Sequence, residues 1–304
     1  MKLVNFGSMN IDNTYRVEEF LRPGETKSAL RLDVYCGGKG LNQSIAAAKA
    51  GCTVWHAALL GQGAKMLKDK LDENGVDTHL LKPAEGKSGH TVIQVDAHGQ
   101  NCILLYGGVN KQLTKDFVDE ALQACSAEDV VLVQNETNMV AYIIEKASSM
   151  GMRVAFNASP ITEELLGYPF DKVTWLFINE VEGACLTGSE DADEILAILG
   201  KRYPQCRILL TLGKHGAVYQ ADGKMTRIGI FPVPVVDTTS AGDTFTGYFL
   251  QAMMDGLSPY DCLLRATVAS TLCVQRPGAA DSIPLRDEVE KAMEQKTFGQ
   301  MVLA

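Results

Sequence analysis

No two cysteines of this chain stand at metal-binding spacing. The eight present (36, 52, 102, 125, 185, 206, 262 and 273) are scattered singly, with no C-x-x-C pair and no Cys/His cluster. That fits reduced, mostly buried thiols better than a disulfide framework or the usual zinc site; Cys36, beside a glycine loop, is either core or a reactive thiol. No run approaches the roughly 18 apolar residues that cross a bilayer, and Met1–Gly7 shows no leader pattern, so the expected setting is the cytoplasm with no membrane partner. Positive charge is in deficit: 28 Lys and Arg against 37 Asp and Glu leave a net charge of −9. A broad nucleic-acid surface is therefore not expected, although a local anion site is compatible with an acidic protein. There is no G-x-G-x-x-G after the first strand-like run, where Gly7-Ser8-Met9-Asn10 stands instead, so a dinucleotide-dependent oxidoreductase is not supported. Linkers, low-complexity tracts and internal repeats are also missing, and residues 1–304 read as one domain.

What is there is an alternation. From about residue 125, Val130–Gln134 predicts a strand, Met139–Met150 a helix, Arg153–Asn157 and Trp175–Asn179 strands, Asp191–Tyr203 a helix, and Arg207–Leu212 a strand closed by Gly213. Such a pattern predicts an α/β fold with a mostly parallel central sheet and helices on both faces. Ligands in these sheets sit beyond the carboxyl ends of the strands. Asn10, Asp12, Glu136, Asn157, Asn179 and Gly213 all follow strand-like runs, which points to one shared crevice. Two regions break the rhythm: 14–35 and 90–107 read as short strands and turns, with Pro23-Gly24 and His98-Gly99 as turn signals. They form either a meander on the main sheet or a separate small sheet.

Three glycine-bearing segments carry the chemistry. Val236-Asp-Thr-Thr-Ser-Ala-Gly-Asp-Thr-Phe245 runs small residues into an apolar helical pattern. Backbone N–H groups converging at a helix start favour an anion, and a carboxylate beside them can take a proton from a nucleophile. Read alone, the same Gly-Asp is an Asp-capped helix. Gly37-Gly-Lys-Gly-Leu-Asn-Gln43 enters the alanine-rich run 45–50, and Gly7-Ser-Met-Asn-Ile-Asp12 follows the run Leu3–Phe6. Asn, Asp and Lys side chains there supply donors and acceptors suited to a polyol.

Together, and in this order along the whole chain, these segments resemble the ribokinase family of sugar kinases, the PfkB carbohydrate kinases. The resemblance implies a ribokinase-like fold with a small β-sheet lid from 14–35 and 90–107, which in many relatives also forms a homodimer interface. It implies transfer of the γ-phosphoryl group of ATP to the primary hydroxyl of a small sugar, with D-ribose the expected acceptor. Asp243 is then the base, and the backbone amides of Ala241, Gly242 and Asp243 the anion hole. Asn10, Asp12, Gly38, Lys39, Asn42 and Glu136 are implied to contact the sugar. Asn179, Thr211, Gly213, Gly216 and Thr267 are implied to line the ATP site, with Glu182 reaching Mg²⁺ through water. Asp237, Thr239, Cys273, Arg276, Gly278 and Ser282 match positions that hold an activating K⁺, and Pro277 stands where relatives often have Lys.

Alternatives stay open. Glu136 and Glu182 also suit solvated positions, and Lys214 and His215 either reach phosphate or face solvent. His90 and Tyr106 either line the sugar pocket or pack within the sheet. Gly61-Gln-Gly-Ala-Lys65 departs from the G-x-D-x-x-G of many relatives, which puts a local turn in doubt rather than the chemistry. Gly107-Gly-Val-Asn110 matches a segment placed near the sugar. A nucleoside kinase or a kinase of another sugar is the nearest alternative; a catalytically silent sugar-binding protein is the alternative of another class.

Overall fold

The computed structural model describes residues 1–302. In chain order the strands are β1 (Leu3–Phe6), β2 (Asn10–Arg16), β3 (Arg31–Gly37), β4 (Val54–Gln62), β5 (Leu81–Lys87), β6 (Gly89–Val95), β7 (Asn101–Tyr106), β8 (Val130–Gln134), β9 (Arg153–Asn157), β10 (Trp175–Asn179), β11 (Arg207–Thr211), β12 (Ala217–Ala221) and β13 (Lys224–Ile228). The helices are α1 (Lys39–Ala50), α2 (Lys65–Glu73), α3 (Lys115–Leu122), α4 (Val140–Ser149), α5 (Glu180–Thr187), α6 (Ala192–Arg202), α7 (Ala241–Met254), α8 (Pro259–Cys273) and α9 (Arg286–Glu294).

Nine strands form one sheet in the order β13-β12-β11-β10-β9-β8-β1-β4-β5. It is parallel from β5 to β11, and β12 and β13 add an antiparallel edge. Alternation along each central strand serves both faces. Leu3, Val130, Leu132, Trp175 and Phe177 join the core under α1, α7 and α8, while Val4, Phe6, Val131, Val133, Leu176 and Ile178 join the core under α3 to α6. This double burial explains why the central strands read as unbroken apolar runs.

Residues of 14–35 and 90–107 build a separate four-stranded sheet, β3-β2-β6-β7, not an extension of the main one. Its first strand starts at Asn10, earlier than the pattern suggests, because Asn10 already pairs with Gly37 and Gly89. Where G-x-D is replaced by Gly61-Gln62, the pairing of β4 with β5 is irregular between Leu60 and Gln62.

Candidate active site

Asp243 lies in the first turn of α7 and is buried. Its Oδ2 accepts from Asn42 Nδ2 at 3.0 Å and its Oδ1 from Gln43 Nε2 at 2.8 Å, so the first turn of α1 orients the carboxylate. Ser240 precedes α7 at φ 62°, in the left-handed region, and turns the chain sharply into the helix. The amide of Ala241 is not free for an anion: it donates to the Thr238 carbonyl at 3.2 Å. Among the described residues, the N–H groups of Gly242 and Asp243 carry no such bond, as expected of a helix start. Of the three amides expected to form an anion hole, that of Ala241 is spent on the turn before the helix, and those of Gly242 and Asp243 are left without a backbone partner. A Cβ at Gly242 would meet nothing within 4 Å, so the backbone there is open to close approach.

Three adjoining cavities meet at this turn. One of about 520 Å³ lies under the four-stranded sheet and is lined by Asn10, Asp12, Gly38, Lys39, Asn42 and Glu136. A smaller one of about 210 Å³ is polar, with Asn157, Asn179 and Glu182 in its wall. The third, about 600 Å³, is mostly apolar and holds Thr211, Gly213, Gly216 and Thr267. Lys39, Ser240 and Asp243 line both of the first two, and Thr211 and Gly242 line both of the last two.

The first cavity is built to take hydroxyl groups. Asp12 Oδ1 accepts from Thr91 Oγ1 at 2.7 Å, and a Cβ at Gly37 would lie 1.9 Å from Asp12 Oδ2, so glycine is required for that pose. Burial pushes the Asp12 carboxyl up to about 6, opposed by the Thr91 hydrogen bond and aided by the charge of Glu136. Asn10 Oδ1 accepts from Asn110 Nδ2 at 2.9 Å, which fixes the Asn10 amide and places the Gly107–Asn110 segment behind it. Glu136 is not a free loop carboxylate: Oε2 accepts from the Lys39 N–H at 3.0 Å and from the Ser8 hydroxyl, at the positive end of α1. The buried Asn42 Oδ1 has no hydrogen-bond partner among the described residues, an acceptor awaiting a donor. Burial works to lower the Lys39 ammonium, but the charges of Asp243, Glu136 and Glu182 outweigh it and hold the group above the ordinary lysine value.

On the other side, Asn179 and Glu182 form a capping box on α5. Asn179 Oδ1 accepts from the N–H groups of Val181 and Glu182 at 2.8 and 3.0 Å, and Glu182 Oε2 from the Asn179 N–H at 2.8 Å. No group of three or more His, Cys, Asp or Glu able to hold a metal occurs among the described residues. So few carboxylates around Asn179, with Glu182 and Asp243 in the same wall, fit Mg²⁺ arriving with nucleotide phosphates and keeping its waters, not a cage made by the protein alone. The apolar cavity also contains Thr267, whose buried hydroxyl has no partner among the described residues. Its wall includes Ile230, Phe231 and Pro232, a segment after β13 with no motif to betray it.

Two loops are stitched together below the α7 turn. Asp237 Oδ1 accepts from the Thr239 N–H (2.9 Å) and hydroxyl (2.6 Å), and Oδ2 from the Gly278 N–H at 3.1 Å. Cys273 Sγ lies 3.1 Å from Ser282 Oγ and donates weakly to the Thr239 carbonyl at 3.8 Å. Arg276 turns its side chain away, to Glu288 at 2.6 Å, leaving only its backbone for the loop. Hard oxygen donors predominate here, which suits a weakly held alkali cation.

His90 and Tyr106 do not line the first cavity. They pack against each other with ring centroids 5.0 Å apart and planes tilted by 42°, on the opposite face of the small sheet, while Thr91, Ile93, Ile103 and Leu105 face inward. Their odd–even position decides this, and it depends on a strand register that spacing alone did not reveal. Burial pushes the Cys36 thiol up, so it belongs to the core and is not poised for reaction.

A buried carboxylate at the junction of these cavities, beside two helix-start amides without backbone partners, is an arrangement suited to moving a phosphoryl group onto an alcohol. The family model for pfkB family carbohydrate kinases matches residues 1–286, and the chain belongs to that family. It is 32% identical to the ribokinase of Haemophilus influenzae over 96% of this chain and 98% of that protein. Among solved structures it resembles Arabidopsis thaliana ribokinase complexed with ribose and ATP (TM-score 0.85, 31% identity, covering 96% of this chain and 98% of that one). It also resembles the ribokinase of Cryptococcus neoformans var. grubii serotype A in complex with ADP (TM-score 0.81, 33% identity, 95% and 98%).

Proposed function

We propose that this protein is an ATP-dependent kinase that converts D-ribose to ribose 5-phosphate. The observation that carries the reading is Asp243, held by Asn42 and Gln43 where the polyol-type cavity meets the small polar one. The ribose and ATP named with the Arabidopsis relative support the substrate pair. In this reading the sugar is held by Asn10, Asp12, Gly38, Lys39, Asn42 and Glu136, and the nucleotide lies along Asn179, Thr211, Gly213, Gly216 and Thr267. Asp243 takes the proton of the primary hydroxyl as its oxygen bonds to the γ-phosphorus and the bond to the β,γ-bridging oxygen breaks, releasing ADP. The N–H groups of Gly242 and Asp243, with the Lys39 ammonium, hold the charge of the transferring group. Glu182 and Asn179 would face Mg²⁺ carried in with ATP, which when bound would neutralise charge on the phosphates. Oxygens of Asp237, Thr239, Cys273, Arg276, Gly278 and Ser282 would hold an alkali cation, K⁺ in our reading, whose positive charge would tie the Asp237–Ser240 loop to the loop after α8.

The small sheet acts as lid: excluding water from the sugar favours transfer to it over hydrolysis. Its outer face exposes Leu32, Val34, Val92, Leu104 and Tyr106, enough apolar surface to support a homodimer through the lid. Eight free thiols support a reducing, cytoplasmic setting. No helix among the described residues is long and apolar enough to cross a membrane. One observation favours a second acceptor: Ile93, Ile103 and Leu105 give the cavity of about 520 Å³ an apolar wall, which suits a nucleoside base.

Asp243→Asn tests the mechanism. It should cut turnover by about 10³-fold or more while sugar binding persists; a variant keeping more than a few per cent of the rate overturns the assignment of the base.

A further inference from the structure

A thread of buried polar side chains leads from Asp243 into the apolar core. Gln43 donates Nε2 to Asp243 Oδ1 at 2.8 Å and accepts at Oε1 from Gln134 Nε2, also 2.8 Å away. Gln134 Nε2 donates a second time, to Asn5 Oδ1 at 2.9 Å. Asn5 Nδ2 donates to the Gly40 carbonyl and to Ser44 Oγ, both at 2.8 Å, and Ser44 Oγ lies 2.8 Å from His56 Nδ1. Asn5, Gln43, Ser44, His56 and Gln134 are all fully buried. Asn5 and Gln134 occupy strand positions whose neighbours two residues away, Leu3 and Leu132, are core leucines facing α1 and α7. Amides there cost stability unless paired, and Gln134 keeps its place although its Oε1 has no partner among the described residues, which makes its presence informative.

The thread has a single polarity. The Gly40 carbonyl can only accept, so Asn5 must present its NH₂ to α1 and its oxygen to Gln134. Gln134 must then present its NH₂, and both hydrogens are used, one on Asn5 and one on Gln43. Gln43 in turn must face Gln134 with its oxygen and Asp243 with its NH₂. At the far end both Asn5 hydrogens are spent, so the Ser44 hydroxyl is left to donate to His56 Nδ1. Burial pushes that imidazole down to about 4, which keeps it neutral and able to accept.

We propose that Gln43 and Gln134 are positioning residues: an amide relay anchored on the Gly40 carbonyl fixes which way the Gln43 amide faces and thereby aims the Asp243 carboxylate. This rests on Asp243 being the base. Gln134, more than one side chain removed from any substrate, affects the rate through Gln43 alone.

The test compares Gln134→Met, Gln134→Glu, Gln43→Met and the double methionine variant, with Asp243→Asn as control. Readouts are kcat, equilibrium sugar binding and thermal melting. Each single variant should lower kcat by about tenfold or more with sugar affinity within about twofold, since small errors of aim are costly in rate. Gln134→Glu keeps the shape but supplies at most one hydrogen where two are needed, so it should fall as far as Gln134→Met. The double variant should be no slower than Gln43→Met, as expected of residues acting in series. Unchanged kcat in a folded Gln134 variant, sparing of Gln134→Glu, or multiplication of the two effects would overturn the relay. If Gln134→Met fails to fold, unchanged kcat in Gln43→Met refutes it equally. An active Asp243→Asn would instead overturn the reading of the base.

Discussion

Sugar binding should weaken as pH falls through about 6, and Asp12 is the reason. Its carboxyl is raised from 3.8 to about 6, chiefly by burial under the small sheet. Keeping such a group ionised costs the sugar-free protein about 3 kcal/mol at neutral pH, an upper value because solvent reaches the cavity. The sign is that of a raised acid: between 3.8 and about 6 the native state holds more protons than the unfolded chain, so this contribution to stability falls as pH rises through that window and stays low above it. A sugar hydroxyl donating to Oδ2 stabilises the ionised form. Binding is therefore favoured above pH 6, and below it the carboxyl must first lose its proton. At pH 5 only about a tenth of the free protein has Asp12 ionised, which predicts about tenfold weaker sugar binding than the plateau, and release of nearly one proton per sugar bound. Calorimetric titration of ribose from pH 5 to 8, in buffers of different ionisation enthalpy, reads both quantities. Asp12→Asn should bind more weakly and lose the pH dependence between 5 and 7. Affinity that is flat over that range, or rises as pH falls, would refute this account of Asp12.

Further outcomes follow from the other walls of the site. Gly242→Val adds side-chain atoms where the structure has open space, so it should fold normally yet lower kcat/KM for Mg-ATP by about 10²-fold, the scale of losing an anion-hole donor; thermal melting and initial rates check both. Turnover in K⁺ should exceed that in Na⁺ several-fold, and Asp237→Ala, which unties Thr239 and Gly278, should abolish the difference between the two salts in rate assays. Leu104→Lys, at a side chain 70% exposed on the small sheet's outer face, should shift the proposed dimer to monomer in sedimentation velocity without altering the core.

The class of fold was legible because its central strands are buried on both faces, and the resulting apolar runs alternate visibly with helices. Gly37–Gln43 and Asp237–Asp243 were legible for a different reason: tight turns at helix starts restrict residue type within a short window. What escaped depends on register or on distance along the chain. His90 and Tyr106 differ from Thr91 and Leu105 by one position, and one position changes the face of a sheet. Ala241 looked like a third anion-hole amide, but the left-handed turn at Ser240 commits its N–H to Thr238. Asn5, His56 and Gln134 join Gln43 and Ser44 in one thread only because β1 pairs with β4 and β8. One signal was available for them: polar residues at core-facing positions of otherwise apolar strands.

The most direct measurement of the central claim is ADP release from Mg-ATP with ribose, deoxyribose, fructose, other pentoses and hexoses, and nucleosides as acceptors. The account predicts turnover on D-ribose, with kcat/KM at least tenfold above every other acceptor. Preference for a nucleoside or another sugar would contradict the ribose assignment, and silence on every acceptor despite intact sugar binding would contradict the kinase itself.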